Sequence, residues 1–561
     1  IHGDNLEALK SLLPEYEGKI KCIYIDPPYN TGNENWVYND NVNHPKIRKW
    51  LESTLRAKEN GKEAAIGIDD LARHDKWLCM MYPRLQLLHK LLDKDGAIFV
   101  SLDEIETSHL RLILNEIFGA SNFVAQLTLL CNPKGRSQDK YFSTNHEYIT
   151  VYSKSIKEKD SFSVMKDDGL IAREYKLQDR LGRYRILELR NTHREFSRLN
   201  RPNLFYPLFV DPVSQCVFLQ QTNPDFIEVY PLWPDGFEGC WTWGKELAEK
   251  DNTLLLAQKT RGKWKIYRKS YSTSEEGENV KKKLFTIWND AKFYTEKGQA
   301  TFGEIFPGLN KNDFPQPKSV DLISEVLKTC TSDNEIILDS FAGSGTTAHA
   351  VLNLNKVDGG NRKFILVEME DYADSITAER VKRVIKGYSD KEGTGGSFDY
   401  YVLGKPLFIG ENSEFLNEEV GTDKIREYIW FSETRTSYDL RCTIDDLKEY
   451  DVRSTIYDVR LKNDDLDNRK SKIVNLQSDR KSKIVNQKSD NQYFLGKKDG
   501  TAYYFIYEKE ILTTLDYDLL STINSKAGQY VIYADNCLLA KDFMMKHNII
   551  FKKIPRDITR F

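Results

Sequence analysis

Three apolar runs along the chain each end at an acidic residue. Ile20-Lys21-Cys22-Ile23-Tyr24-Ile25 stops at Asp26, residues 335–339 (EIILD) stop at Asp339, and residues 364–367 (FILV) stop at Glu368. Short, nearly continuous apolar runs rich in β-branched residues read as strands buried on both faces, as in a parallel sheet covered by helices. Residues 96–102 (GAIFVSL) and 147–152 read as two further strands. Elsewhere the period changes. Leu78, Met81, Leu85, Leu88 and Leu92 recur at three or four, so residues 75–92 are expected to form an amphipathic helix. Residues 346–354 (TTAHAVLNL) also have helical character. Strands alternating with helices predict an α/β fold with a mostly parallel sheet.

Composition bounds the rest. At 561 residues the chain exceeds one ordinary core, and three or four structural units are expected. Charged residues reach 29%, and no apolar run approaches the roughly 18 residues of a membrane span, so a soluble protein is expected. Eight cysteines are scattered without a CxxC pair, which signals neither a disulfide framework nor a zinc site. Reduced thiols in a cytosolic protein are the expectation, and no metal is expected. The chain opens at Ile1 rather than methionine, so upstream residues are expected, with nothing here resembling a targeting segment. A net charge of −3 argues against a surface that is basic all over. Any contact with nucleic acid falls to local basic patches.

The turn after the first strand carries candidate chemistry. Asp26-Pro27-Pro28-Tyr29-Asn30-Thr31-Gly32 puts two prolines where the strand ends, and neither can donate to a sheet ladder. The turn is rigid and lies at the carboxyl end of a strand, where α/β sheets place their ligands. An exocyclic amine conjugated with a base ring is a poor nucleophile. The Asp26 carboxylate and the Pro27 carbonyl can each accept one of its two hydrogens, favouring the form that carries a lone pair. Tyr29 is expected to stack on a base that has left its helix, contributing ~1–3 kcal/mol against a flipping cost of a few kcal/mol. Standing alone, these residues would also fit a proline turn with Tyr29 merely packed, the lesser of the two readings.

A second site lies about three hundred residues on. Asp339-Ser340-Phe341-Ala342-Gly343-Ser344-Gly345-Thr346-Thr347 joins a strand to a helix. Strand, glycine turn and helix form the nucleotide-binding arrangement, in which small residues let a ligand approach backbone at a helix N-terminus. No lysine follows the second glycine, so this is not a phosphate-binding P-loop. Glu368 ends the next strand 23 residues past Gly345, where an acid is placed to bind two ribose hydroxyls.

With both motifs present in this order, the chain resembles the β-class of amino-methyltransferases. More closely, it resembles the modification (Mod) subunits of type III restriction–modification systems. Further signatures are Gly3-Asp4-Asn5-Leu6-Glu7-Ala8-Leu9, Thr144-Asn145-His146-Glu147-Tyr148, Arg201-Pro202-Asn203-Leu204-Phe205-Tyr206-Pro207, Pro317-Lys318-Ser319-Val320 and Phe551-Lys552-Lys553-Ile554-Pro555-Arg556-Asp557. The resemblance implies a Rossmann-like sheet in circularly permuted order, S-adenosylmethionine as methyl donor, and adenine N6 in double-stranded DNA as acceptor. It also implies a prokaryotic, cytoplasmic protein. Catalysis would fall to Asp26, Pro27, Pro28 and Tyr29. Cofactor binding would fall to Asp4 at the cofactor's adenine, with Asn5 beside it, and to Glu368 at its ribose. Lys318 and Ser319 would lie near its methionine carboxylate, and Asp339, Phe341, Gly343, Gly345 and Thr346 would supply the glycine turn. Ser340 departs from the family's pattern, where proline is common between Asp and Phe, but that position is backbone-like in role. A homodimer and a separate restriction subunit are the implied partners.

The expected organisation is residues 1–155 as the acceptor half of the core, 156–305 as a target-recognition insert, 306–405 as the cofactor half, and 406–561 as a small C-terminal α/β domain for subunit or partner contact. Residues 173–201 hold nine Lys/Arg against four acids, interleaved with Tyr175, Tyr184, His193 and Phe196. Residues 259–269 hold six basic residues and no acid. Such stretches attract phosphate regardless of sequence, and the aromatic and amide groups between them can read or stack bases. Residues 411–451 invert the balance, with twelve acids against five basic residues, a surface unsuited to DNA. The run RKSKIVN at 469–475 recurs at 480–486, too briefly for a solenoid, and is expected to be a surface loop. His89 and His109 fall in helix-like segments and are expected to be packed or solvated.

Two rivals stay open. N4-cytosine methylation needs the same geometry, although Asp rather than Ser at position 26 favours adenine. A non-catalytic specificity subunit for a nuclease partner would need the basic insert but has no use for Asp26. A C5-cytosine mechanism is disfavoured because no cysteine stands at the active turn.

Overall fold

Ile20–Ile25 forms strand β1, and its position explains why almost every side chain in it is apolar. It lies inside a seven-stranded sheet, with neighbours on both edges and helices packed against it. The structure is a computed structural model that describes residues 1–30, 68–135, 139–274, 277–309, 314, 316–409, 415–436, 438, 492–509, 511–523, 525–555 and 558. The other strands of the sheet are β2 (Leu92–Leu102), β3 (Phe123–Leu130), β4 (His146–Ser153), β5 (Ile287–Trp288), β6 (Ile336–Asp339) and β7 (Lys363–Leu366), in the spatial order β5-β3-β4-β2-β1-β6-β7. Neighbouring pairs are parallel except where β4 runs antiparallel to β2 and β3.

The helices are α1 (Asn5–Tyr16), α2 (Ile68–Leu91), α3 (Thr107–Phe118), α4 (Thr295–Ile305), α5 (Val320–Cys330), α6 (Thr346–Asp358) and α7 (Glu379–Lys386). Leu9 and Leu13 of α1, Met81, Leu85 and Leu88 of α2, and Leu110 and Leu114 of α3 bury a common core with Ile23, Ile25, Ile98 and Val100. Each such side chain contributes ~1.5–3 kcal/mol when wholly buried. A second cluster joins Phe302 and Ile305 of α4, Ala348 and Leu352 of α6, and Val381 and Val384 of α7.

The order of strands positions the site. From β1 the chain passes through α2 to β2 on one side, and from β6 through α6 to β7 on the other. The strand order therefore reverses between β1 and β6, and the crevice at their carboxyl ends is where a doubly wound sheet takes its ligands. This is the expected Rossmann-like α/β core.

Element boundaries differ from the sequence expectation in instructive ways. Helix α2 starts at Ile68, ahead of the expected 75, and runs through Pro83. Strand β2 starts at Leu92, which pairs with Ile20 before a register slip brings Ala97 opposite Cys22. The chain forms two compact units, Glu158–Phe285 and the combination of Ile1–Lys157 with Thr286–Phe561. The smaller unit is shorter than the expected 156–305, because Ile287–Trp288 adds an edge strand beside β3 and α4 packs under α6.

Taken by itself, the smaller unit has a four-stranded antiparallel sheet in which Lys263–Tyr271 pairs with Leu255–Thr260 and Gly182–Glu188. Its core holds Leu189, Tyr206, Trp241, Trp243 and Ile266. Many of its basic side chains are neutralised internally, such as Arg194 by Asp235, Arg198 by Glu238 and Lys269 by Asp179. Arg261 and Lys263, in and beside the hairpin turn, are exposed and carry no ion pair among the described residues.

In the larger unit, residues beyond 405 include a four-stranded sheet of Phe494–Lys498, Thr501–Phe505, Gln529–Ala534 and Ile549–Lys553. Helix Thr422–Thr434 packs Ile425, Ile429 and Trp430 against Phe505, Val531 and Tyr533. Residues 411–414, 437 and 439–451 of the acidic stretch, and the whole RKSKIVN duplication, lie outside the described residues, as do Thr31, Gly32, Arg556 and Asp557. No helix among the described residues is long and apolar enough to cross a membrane.

Candidate active site

The register of β1 on β6, Ile23 opposite Leu338, carries Asp26 and Phe341 to adjacent positions just beyond the two strands. Neighbouring strands are roughly 4.8 Å apart, so motifs about three hundred residues apart in sequence meet. One cavity of about 400 Å³ receives Asp26 and Pro28 from the first motif, Asp339, Phe341, Gly343 and Thr346 from the second, and Lys318 and Glu368 besides. Its size is within the ordinary range for small-ligand sites, roughly 300–1,000 Å³.

The acceptor turn is locked from behind. Trp77 of α2 donates to the Pro28 carbonyl at 2.8 Å. Asn30 has φ 62°, a left-handed conformation that asparagine tolerates, and its amide donates to the wholly buried Glu106 carboxylate. The same carboxylate takes His74 Nδ1 at 2.5 Å and His109 Nδ1 at 2.9 Å. A carboxylate only accepts, so both Nδ1 atoms carry the proton. His74, Glu106 and His109 are also a grouping of metal-ligand type among the described residues, with donor atoms within 4.8 Å of one another. Their hydrogen bonds tie α2 and the start of α3 to the turn. Among the described residues, no group donates to the Pro27 carbonyl.

The Asp26 side chain, a quarter exposed, lies in a charged cluster. Lys318 Nζ lies 2.6 Å from Glu147 Oε2 and 3.4 Å from Asp26 Oδ1. It also donates to the Tyr29 hydroxyl at 2.5 Å, and that hydroxyl donates to Asp26 Oδ1 at 2.8 Å. Burial pushes the Asp26 carboxyl above the usual carboxylate range; Lys318 works against this and Glu147 adds to it. Burial also disfavours the Lys318 charge, but Asp26 and Glu147 outweigh it and hold the ammonium well above the usual lysine range. Tyr29 is therefore anchored by its hydroxyl, with Lys318 5.0 Å from its ring centroid. The Lys318 ammonium points at Asp26 and Glu147.

The donor side is built on backbone. Gly343 (φ 51°) and Gly345 (φ 80°) occupy the left-handed region, and a Cβ on Gly345 would come 3.1 Å from the Thr377 carbonyl oxygen. Asp339 accepts from Phe341 N at 3.1 Å and from the Thr347 hydroxyl at 2.6 Å, which fixes the turn, and burial pushes its carboxyl up to about 7. Glu368 accepts from the N–H groups of Gly343, Met369 and Glu370 at 2.7, 3.0 and 3.1 Å. Burial pushes its carboxyl up to about 6, against those three donors. The carboxylate held in this way lines the cavity.

Several expected residues act from outside the cavity. Asp4 caps α1, accepting from Leu6 N and Glu7 N at 2.8 and 3.1 Å. Asn5 is buried and bridges Arg84 Nε, at 2.5 Å, to the Ser340 carbonyl, at 3.2 Å, so it braces β6. Ser319 is buried at the N-terminus of α5 with its hydroxyl on the Lys292 carbonyl at 2.7 Å. Neither Asp4, Asn5 nor Ser319 lines the cavity. Glu147 belongs to a sequence signature, with no role implied for it. It stands on β4 in step with the buried Ile149 and Val151, and an acid at a core-facing strand position is the signal that marks it.

The cavity joins the turn after β1 to the glycine turn after β6. A DNA methylase family model matches residues 20–379. The chain is 33% identical over 424 residues to the Mod subunit of the type III restriction–modification enzyme EcoPI of Escherichia phage P1, covering 72% of this chain and 64% of that protein. It is 35% identical over 369 residues to the type II methyltransferase M.KpnI of Klebsiella pneumoniae, covering 65% of this chain and 79% of that protein. With the EcoP15I Mod subunit of Escherichia coli it shares 30% identity over 407 residues, covering 66% and 58%. The chain thus spans about three-fifths of the length of these two Mod subunits. On the family match and the M.KpnI similarity, the chain belongs to the N6/N4 DNA methylase family.

Proposed function

We propose that this chain transfers a methyl group from S-adenosylmethionine to N6 of an adenine flipped out of double-stranded DNA, as the modification component of a restriction–modification system. The observation that carries the reading is the single cavity shared by Asp26, the glycine turn and Glu368. The donor set suits the cofactor: a carboxylate for ribose hydroxyls, Phe341 for an apolar face, and a close-approach backbone at Gly343. When bound, that cofactor supplies an electrophilic methyl group.

The remaining work falls to the chain's own groups. Asp26 accepts one N6 hydrogen and the Pro27 carbonyl the other, which turns the nitrogen lone pair toward the donor. N6 carries a surplus proton after transfer. Asp26, raised above its usual range by burial, is suited to take it. Tyr29, held at its hydroxyl, supplies the stacking surface for the flipped base.

Adenine rather than cytosine rests on Asp at position 26. The chain order, with the acceptor strand ahead of the donor strand, fits the circularly permuted arrangement. Pairing with a restriction subunit is supported by the likeness to EcoPI Mod, and homodimerisation belongs to the same reading.

Two measurements test parts of this assignment. Glu368 is ionised above about pH 6 and protonated below it, so its capacity to accept from ribose falls as pH falls. Affinity for S-adenosylhomocysteine should drop about tenfold from pH 7 to pH 5. Glu368→Gln should bind weakly with a flat profile, and a pH-independent wild-type affinity counts against the ribose role. For the smaller unit, Arg261→Ala/Lys263→Ala should weaken binding to all DNA sequences alike. It should also reduce the slope of log affinity against log salt by roughly 0.9 per lost phosphate contact. An unchanged slope removes this hairpin from the DNA surface.

A further inference from the structure

Among the described residues, one cation beside the cavity lacks a counter-charge. Arg380, in the first turn of α7, is wholly buried. Its Nη1 donates to Ser344 Oγ at 2.7 Å and Thr346 Oγ1 at 2.8 Å, both in the glycine turn, and its Nη2 lies 3.4 Å from His349 Nδ1. Its Nε meets no acceptor, and among the described residues no carboxylate pairs with it. His349 offers no compensation, since burial and Arg380 push its imidazole down to about 2 and keep it neutral. A guanidinium stays charged even when buried, and such a charge without a partner is strongly unfavourable. The other cation at the cavity, Lys318, is already matched by Asp26 and Glu147.

Ser344 and Thr346 line the cavity directly in front of Arg380. Their oxygens accept from the guanidinium; they lie 3.2 Å apart, and Thr346 Oγ1 donates to the Lys318 carbonyl at 3.5 Å, long contacts that a ligand oxygen can replace. Glu368 takes the ribose end of the donor and Asp26 marks its reacting end, which leaves the turn for its amino-acid tail. We infer that Arg380 is the charge that positions the carboxylate of that tail, acting through the hydroxyls of Ser344 and Thr346. The inference rests on the donor assignment above. It makes Arg380 a positioning residue, since it touches no substrate itself.

The test compares two ligands by calorimetry: S-adenosylhomocysteine, which carries the tail, and 5′-methylthioadenosine, which lacks it. Arg380→Met should lower affinity for the first on the order of 30-fold while leaving the second within about threefold, so their ratio collapses. Arg380→Lys, which keeps the charge, should hold the ratio close to wild type. Equal losses for both ligands, no loss for either, or a collapse as deep in Arg380→Lys overturns the assignment and leaves the arginine a brace for the turn. Should Arg380→Met not fold, Ser344→Ala/Thr346→Ala severs the relay and should collapse the same ratio; an unchanged ratio there overturns it equally. If the wild-type protein binds neither ligand, the donor assignment fails and this inference with it.

Discussion

Asp26→Ala should lower methyl transfer by ~10³-fold or more while leaving S-adenosylhomocysteine affinity within about threefold of wild type. The size of the effect follows from two jobs held by one group. The carboxylate orients the acceptor amine, and it takes the proton that the amine must lose. Asp26→Asn keeps an accepting oxygen but cannot take that proton, so its loss should be smaller and insensitive to pH. The fold should tolerate both changes. Without the Asp26 charge, Lys318 still faces Glu147 at 2.6 Å, one charge against one. Single-turnover rates with equilibrium binding of the cofactor product separate the effects. Transfer within tenfold of wild type would remove Asp26 from catalysis and revive the binding-only reading.

The second large effect is expected at Lys318. Lys318→Met leaves Asp26 and Glu147 as neighbouring carboxylates with no cation between them, in a setting where both are largely buried. Breaking a buried pair in this way costs about 3–5 kcal/mol. The acids can relieve the repulsion only if one of them binds a proton. Asp26 is already raised above its usual range, and losing Lys318 removes the main influence that lowers it. The acid limb of the transfer rate should therefore move to higher pH, with activity regained as the medium becomes more alkaline. Lys318→Met/Glu147→Gln removes both charges and should recover much of the lost stability. A single variant with unchanged stability and an unmoved acid limb would show that the cluster is not coupled to Asp26.

Much of the core was legible because the signals were local. The apolar runs ending at Asp26, Asp339 and Glu368 became β1, β6 and the end of β7, and the five leucine and methionine positions between 78 and 92 became the buried stripe of α2 and the first residue of β2. What the local pattern could not carry was contact across long sequence separations. Asp4 and Asn5 sit in a recognisable signature, yet the side chains serve a helix cap and a brace to Ser340 rather than the cavity. Lys318 is a donor-side residue by the family resemblance. Its ammonium instead reaches across to Tyr29 and Glu147. Arg380 gave no sequence signal at all. One basic residue among Arg380, Lys382, Arg383 and Lys386 on a short helix looks solvated until burial singles it out. The end of the smaller compact unit at Phe285 gives little sequence signal for a similar reason, since the two residues of β5 are too few to announce a strand before β3 is seen beside them.

The most direct measurement is nucleoside mass spectrometry on unmethylated DNA after incubation with the protein and S-adenosylmethionine, alongside Asp26→Ala. The account requires N6-methyladenine with the wild-type chain and none above background with the variant. N4-methylcytosine instead, or no methylated base from a protein shown to bind both cofactor and DNA, would contradict it.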